Sequence, residues 1–253
     1  MSVGLLDVAR SAALAAGHVL LSSRSEVLSV ATKSSSTDPV TSADTAAQQA
    51  IADVIEAARP DDGLTGEEGL SRPGRTGVHW VIDPLDGTVN YLYGRDEWAV
   101  SIAARDSLGL IAAVVHAPAL ARTYTALRGE GAWLDGQRLA VRSSAALANA
   151  VIGTGFSYTA DGRAAQAARL AALLPGIADI RRTGSAALDL ASVAAGRLDA
   201  FYEDDLAEWD WAAGALLATE AGAVVTPLPG PAGTSGVLAA PPALHDTLRT
   251  LLT

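Results

Sequence analysis

Apolar residues recur at Leu5, Val8, Ala12, Ala15 and Val19, the three-and-four spacing of a single helical face, with Asp7, Arg10 and His18 between them. The pattern predicts a first helix over 3–22. The polar loop TKSSSTDPVTSAD follows, and a second helix is predicted over 43–58, stopped by Pro60. The next segment, PDDGLTGEEGLSRPGRTG, is rich in glycine and acid and reads as an exposed loop. Short apolar runs at 78–82, 99–104, 110–116 and 122–127 then come in quick succession between turn residues, as in a mostly antiparallel sheet. Past 140–150 the rhythm changes. Strand-like runs at 151–154, 177–181, 199–202, 223–226 and 237–240 alternate with helical stretches at 162–174, 186–195, 209–221 and 242–252. The predicted organisation is an α+β half over 1–145 followed by an α/β half over 146–253.

Composition narrows the function classes. A chain of 253 residues that is 49% hydrophobic can bury a sizeable core. Its formal charge of −10 argues against a nucleic-acid or anionic-membrane partner. The absence of cysteine excludes disulfides, thiolate ligands and cysteine nucleophiles. The apolar N-terminal stretch has no cationic segment before it and charges within it, so it reads as a core helix rather than a signal peptide. No run approaches the roughly 18 uncharged apolar residues of a membrane span. A cytoplasmic protein is expected.

Acidic residues next to turn formers carry the candidate chemistry: GEEG at 66–69, DPLDG at 83–87, EWDWAAG with Asp210, and Asp44 in DPVTSAD. Taken singly, each serves a turn or a helix cap equally well. WVIDPLDGTVNY is more specific. Asp83 follows a buried-type apolar run, Pro84 stiffens the turn, and Asp86 projects from the same turn. Gly87 and Thr88 then open a helix whose backbone N–H groups suit an anion. Two carboxylates this close repel unless a cation lies between them. Oxygen-only donors favour Mg²⁺, Mn²⁺ or Ca²⁺ over zinc. Other motifs fail: GTGFSY lacks the third glycine of a dinucleotide loop, no GxxxxGK[ST] or GxSxG exists, and the four histidines are scattered.

GEEG, WVIDPLDGTVNY and EWDWAAGALLATEAGA resemble the signature regions of the inositol monophosphatase family, within the lithium-sensitive, metal-dependent sugar phosphatases. The resemblance continues through KSSSTDPVTSAD, TYTALRGEGAWLDGQRLAV and RRTGSAALDLASVAAGRLDAFYE, nearly the whole chain in order. It implies a layered αβαβα sandwich and Mg²⁺-dependent hydrolysis of myo-inositol monophosphate by direct attack of an activated water. Two or three Mg²⁺ ions are implied, with Mn²⁺ a substitute. By resemblance Glu67, Asp83 and the Leu85 carbonyl hold one metal, and Asp83, Asp86 and Asp210 hold a second. Asp44 pairs with Thr88, and Thr88 with Glu67 orients the water. Leu85, Asp86, Gly87, Thr88, Arg181, Gly184, Ser185, Ala186, Glu203 and Asp210 are the implied substrate residues, with Glu203 accepting ring hydroxyls. Lys33 falls at the family's loop lysine near the third metal. Lithium inhibition and a homodimer are also implied. Fructose-1,6-bisphosphate, histidinol phosphate and NADP are rival substrates, and a non-catalytic partnership with the transcription machinery is the rival class. Tyr91 and the charged GRDEWAVS depart from the family pattern and are expected at the pocket mouth.

Overall fold

The computed structural model describes residues 4–24, 30–32, 39–143, 146–230 and 233–253. Helix α1 (Leu5–Ser23) buries Val8, Ala9, Ala12, Ala13, Ala16, Gly17 and Leu20, the predicted face. Strands β1 (Val30–Thr32) and β2 (Pro39–Thr41) pair antiparallel and lead into α2 (Ser42–Ala58). Thr41 caps α2: its Oγ1 accepts from Ala43 N and Asp44 N, and Asp44 Oδ2 accepts from Thr41 N at 2.9 Å. This reciprocal capping box buries the Asp44 carboxylate where the loop enters the helix.

The segments β3 (Gly63–Gly66), β4 (Ser71–Arg72), β5 (His79–Asp86), α3 (Thr88–Leu92), β6 (Ala99–Asp106), β7 (Gly109–Ala117), β8 (Arg122–Leu127), β9 (Gly131–Leu134) and β10 (Gln137–Arg138) follow in order. Their strands make one eight-stranded sheet, ordered β10-β9-β8-β7-β6-β5-β3-β4. Only β3 and β5 run parallel in it. After them come β11 (Val151–Thr154), α4 (Ala160–Leu173), β12 (Asp179–Arg181), α5 (Ala186–Ala194), β13 (Ala200–Glu203), α6 (Glu208–Glu220), β14 (Val224–Pro229), β15 (Ser235–Ala240) and α7 (Pro242–Leu252). They supply a five-stranded sheet, ordered β12-β11-β13-β15-β14 and parallel across its first three strands.

Strand alternation sorts side chains between layers. Trp80, Ile82, Val100, Ile102 and Val114 point from one face of the large sheet onto α1 and α2. Their neighbours Val81, Ala99, Ala103, Ala113 and Val115 point from the other face onto α5 and α6. Those two helices also pack, through Leu190, Val193 and Ala218, on Phe201 and Val237 of the small sheet. The far face of that sheet is covered by Leu173 of α4 and Leu244, Leu248 and Leu252 of α7. The order is α, β, α, β, α. Helices α5 and α6 are apolar nearly all round because both sides are buried.

Several strands differ from the sequence reading: β2, β3 and β4 lie in segments read as loops, with Leu64 and Asp62 buried rather than exposed, and β9 and β10 follow the last strand predicted for the first half. Helix α1 is long and apolar enough, by length and composition alone, to cross a membrane. As the sequence reading has it, α1 is a core helix, packed against α2 and the large sheet. Strand β5 does not end at 82 in a turn; it runs on to Asp86 through a register shift.

Candidate active site

That register shift makes the site. Asp83 pairs with Ser101 and Asp86 with Ala99, so β5 spends one residue more than β6 between the two pairs. Residues three apart on a regular strand face opposite sides. The bulge cancels that inversion, and both aspartates lie on the side of Ala99 and Ser101, toward α5 and α6. Pro84, which has no N–H to give a ladder, fits at the bulge. Asp83 Oδ1 accepts from Leu85 N at 2.9 Å, which tightens the loop. Gly87 closes it at φ 96°, a conformation that favours glycine.

Other elements converge on the same place. Glu67 follows β3, with its N–H extending the ladder to Ile82 O at 3.2 Å. Gln48 of α2 grips the next residue at both backbone groups: its Nε2 donates to Glu68 O at 3.2 Å and its Oε1 accepts from Glu68 N at 3.0 Å. Ser185 caps α5, accepting from Leu188 N at 3.2 Å while its hydroxyl donates to Asp86 Oδ2 at 2.6 Å. Ala187 N donates to the same oxygen at 2.7 Å. At the start of α6, Asp210 Oδ2 accepts from Ala207 N at 2.7 Å. These ends enclose a cavity of about 270 Å³.

The electrostatics are those of crowded acids. Burial first, then the charges of Glu67, Asp86 and Asp210, hold Asp83 well above the ordinary carboxylate range. The interaction with Glu67 adds to the same upward shift. Burial pushes Asp86 up to about 6, against the hydrogen bonds from Ser185 and Ala187. Burial, then Asp210, Asp86 and Asp189, raises Glu203 well above its usual value. Asp189 is raised by burial to about 7. Among the described residues no three His, Cys, Asp or Glu side chains stand close enough to hold a metal as they are placed. The donor chemistry nonetheless fits a hard divalent cation: carboxylate oxygens from acids that repel one another and resist ionising without a positive charge between them.

Of the residues singled out from sequence, Glu67, Asp83, Leu85, Asp86, Gly87, Thr88, Gly184, Ser185, Ala186, Glu203 and Asp210 all line this one cavity. Asp44 lies behind it, where its Oδ1 accepts from Thr88 Oγ1 at 3.2 Å. Arg181 does not reach the cavity. It ends β12 half-exposed, paired with Asp179 at 2.5 Å, and the next residue, Arg182, lines the cavity instead. Tyr91 is not at the mouth either. It is 3% exposed, donates to Leu20 O at 2.6 Å and packs edge-on against Trp98. Lys33 lies outside the described residues. The sequence reading missed Arg182, Asp189, Trp209 and the stretch 154–158 as lining residues. The last was in view as GTGFSY, weighed only as a dinucleotide loop.

Comparison with known proteins matches residues 3–252 to the inositol monophosphatase family. The chain is 46% identical over 237 residues to an inositol-1-monophosphatase of Mycobacterium leprae (strain TN), covering 88% of this chain and 81% of that protein. It is 43% identical over 234 residues to the Nus factor SuhB of Pseudomonas aeruginosa PAO1, covering 89% and 86%. Among solved structures, the extragenic suppressor protein suhB of Bartonella henselae superposes at TM-score 0.91, with 35% identity over 98% of each chain. An inositol monophosphate-bound SaIMPase-II superposes at 0.80, with 25% identity over 96% and 91%. In fold, in motif order and in the acids gathered at one cavity, this chain belongs to the inositol monophosphatase family and is a phosphatase.

Proposed function

We propose that the protein hydrolyses myo-inositol monophosphate to inositol and phosphate with Mg²⁺. One observation carries the reading: the acids Glu67, Asp83, Asp86 and Asp210 share a small cavity with Glu203. At about 270 Å³ the cavity lies near the lower end of the roughly 300–1,000 Å³ typical of ligand sites, which suits a small polyol ester. In this reading Glu67, Asp83 and the Leu85 carbonyl hold one ion, and Asp83, Asp86 and Asp210 a second; a third site and Mn²⁺ in place of Mg²⁺ belong to the same reading. Bound cations supply Lewis acidity to the phosphoryl oxygens and lower the pKa of a water.

The chain's own groups do the rest. Asp44 Oδ1 and Leu85 O both lie within reach of the Thr88 hydroxyl proton, at 3.2 and 3.1 Å. Thr88 Oγ1 therefore gives its hydrogen inward and turns a lone pair to the cavity, where it accepts from the attacking water. Glu67, in the same cavity, takes the second hydrogen. Backbone N–H groups of Gly87 and Thr88 receive phosphate oxygens, with Gly184, Ser185 and Ala186 forming the opposite side. Glu203 accepts the ring hydroxyls. Arg182, the only basic side chain among the described lining residues, offsets part of the acid charge. A cytoplasmic homodimer sensitive to Li⁺ completes the reading.

The test is phosphate release with Mg²⁺ from inositol 1-phosphate, fructose-1,6-bisphosphate, histidinol phosphate and NADP, with Asp83→Asn as the blank. Fastest release from inositol phosphate, abolished in the variant, supports both substrate and mechanism. A different preferred ester, still dead in the variant, removes only the substrate. The Nus factor name of one relative favours a second reading, a partner role in the transcription machinery. Partners retained by Asp83→Asn in a pulldown support it, and an empty pulldown removes it.

A further inference from the structure

Strand β11 leaves the small sheet beside β13, with Thr154 in register with Tyr202. The next residues on each, Gly155 and Glu203, are therefore neighbours, and both line the cavity. A Cβ built on Gly155 falls against both carboxylate oxygens of Glu203 and its carboxyl carbon, closer than real Cβ atoms approach any heavy atom. The backbone of Gly155 does not adopt the left-handed conformation that asks for glycine, unlike that of Gly87 or Gly184. Space for the Glu203 carboxylate is thus the local reason for glycine here. From this we propose that Gly155 is a positioning residue for substrate selectivity: by having no side chain it lets Glu203 keep its place in the cavity wall, favouring phosphate esters whose alcohol carries ring hydroxyls. The inference rests on the proposed role of Glu203.

The loop after Gly155 is held by a chain of buried hydrogen bonds. Ser157 N donates to Gln166 Oε1 of α4 at 2.7 Å, and Ser157 Oγ donates to Asp205 Oδ2 at 2.7 Å. Gln166 Nε2 in turn donates to Asp204 Oδ1 at 2.5 Å, and Asp204 is ion-paired with Arg169. Ser157, Gln166 and Asp204 are all buried. On the other side Gly153 is locked in the sheet between Arg181 and Phe201. The segment 155–157 is clasped at both ends to the strand end and loop that carry Glu203. An added methyl group meets the carboxylate first, at the far end of a flexible side chain, and displaces it more readily than the hydrogen-bonded backbone around it.

The experiment is a double-mutant cycle of Gly155→Ala and Glu203→Ala, assayed with Mg²⁺ on inositol 1-phosphate and on p-nitrophenyl phosphate, which has no ring hydroxyls. Gly155→Ala is expected to lower the ratio of kcat/KM for the first ester over the second by up to about tenfold, the worth of one good hydrogen bond, mostly through KM. In the Glu203→Ala background the same change is expected to add nothing, since the carboxylate it displaces is gone. An unchanged ratio in the single variant, or an equal further loss in the double, overturns the proposal. If Gly155→Ala folds poorly, the double variant is expected to recover its Tm; a double variant no more stable than the single overturns it. Wild-type turnover of inositol phosphate decides the functional reading separately. Should that fail, the cycle run on the hydroxylated ester turned over best still decides the part of Gly155.

Discussion

Asp83 carries two opposed demands. It is 1% exposed, and its neighbours Glu67, Asp86 and Asp210 all resist its ionisation. Replacing it by asparagine removes a carboxyl whose ionisation the metal-free fold resists. The variant is expected to lose metal-dependent turnover by a thousandfold or more, on the order of 4 kcal/mol of transition-state stabilisation, while its metal-free Tm rises. In a protein of this size each kcal/mol regained moves Tm by about 2–4 °C. A calorimetric scan in EDTA checks the second half, and a lower Tm would sink it. Asp86 and Asp189, raised to about 6 and about 7, add a pH dependence of known sign. Between the ordinary carboxylate value of 3.8 and these raised values, the folded protein keeps protons that the unfolded chain has released. Metal-free stability is expected to fall as pH rises from about 4 to about 7 and then to level. Added Mg²⁺ should stabilise more at pH 8 than at pH 5, read from Tm at both. Single residues were also where sequence reading erred. RRTG offers two adjacent arginines, and only the course of β12 shows that Arg181 turns out to Asp179 while Arg182 meets the cavity.

At the scale of elements, periodicity was a good guide and irregularity was invisible. The longer helices and strands of both halves lie within a few residues of where apolar spacing puts them, because each is amphipathic or wholly buried in a regular way; the short strands β1 to β4, β9 and β10 are too brief to show a period. The bulge in β5 was not legible. Alternation has no mark for an inserted residue, and DPLDG reads as a turn when it is a strand with one residue too many. The loop of Glu67 raised the same difficulty, since its support comes from Gln48, some twenty positions earlier on α2. Gln48 is 7% exposed, and its amide satisfies both backbone groups of Glu68. Gln48→Leu is expected to cost about 1–3 kcal/mol of stability, two hydrogen bonds at roughly 0.5–1.5 kcal/mol each. By loosening Glu67 it is also expected to lower kcat about tenfold, with a smaller change in KM. An unchanged kcat in a folded variant would show that Glu67 is positioned without this grip.

The whole molecule does not divide where its sheets do. All strands of the large sheet precede residue 139 and all strands of the small sheet follow residue 150. The cores cross that line. Val81, Val115 and Tyr124 of the large sheet are covered by Ala187, Ala191, Ala213 and Leu217 of α5 and α6, which belong to the second half of the chain. The linking segment is tied in as well: Val141 N donates to Ala221 O at 3.0 Å at the end of α6. A fragment of residues 1–145 would expose that face, at about 1.5–3 kcal/mol for each large aliphatic side chain such as Val81 or Val115. Native proteins hold only about 5–15 kcal/mol in total, so a few such losses exhaust it. The fragment is expected to be unfolded or aggregated, and the full chain to melt in one transition with equal calorimetric and van't Hoff enthalpies. Two resolved transitions would show independent halves. The site gives the same answer as the core. Asp83 and Asp86 come from the large sheet, Ser185 and Asp210 from the starts of the shared helices, and Glu203 from the small sheet. Cooperative folding of both halves is therefore a condition for assembling the cavity at all.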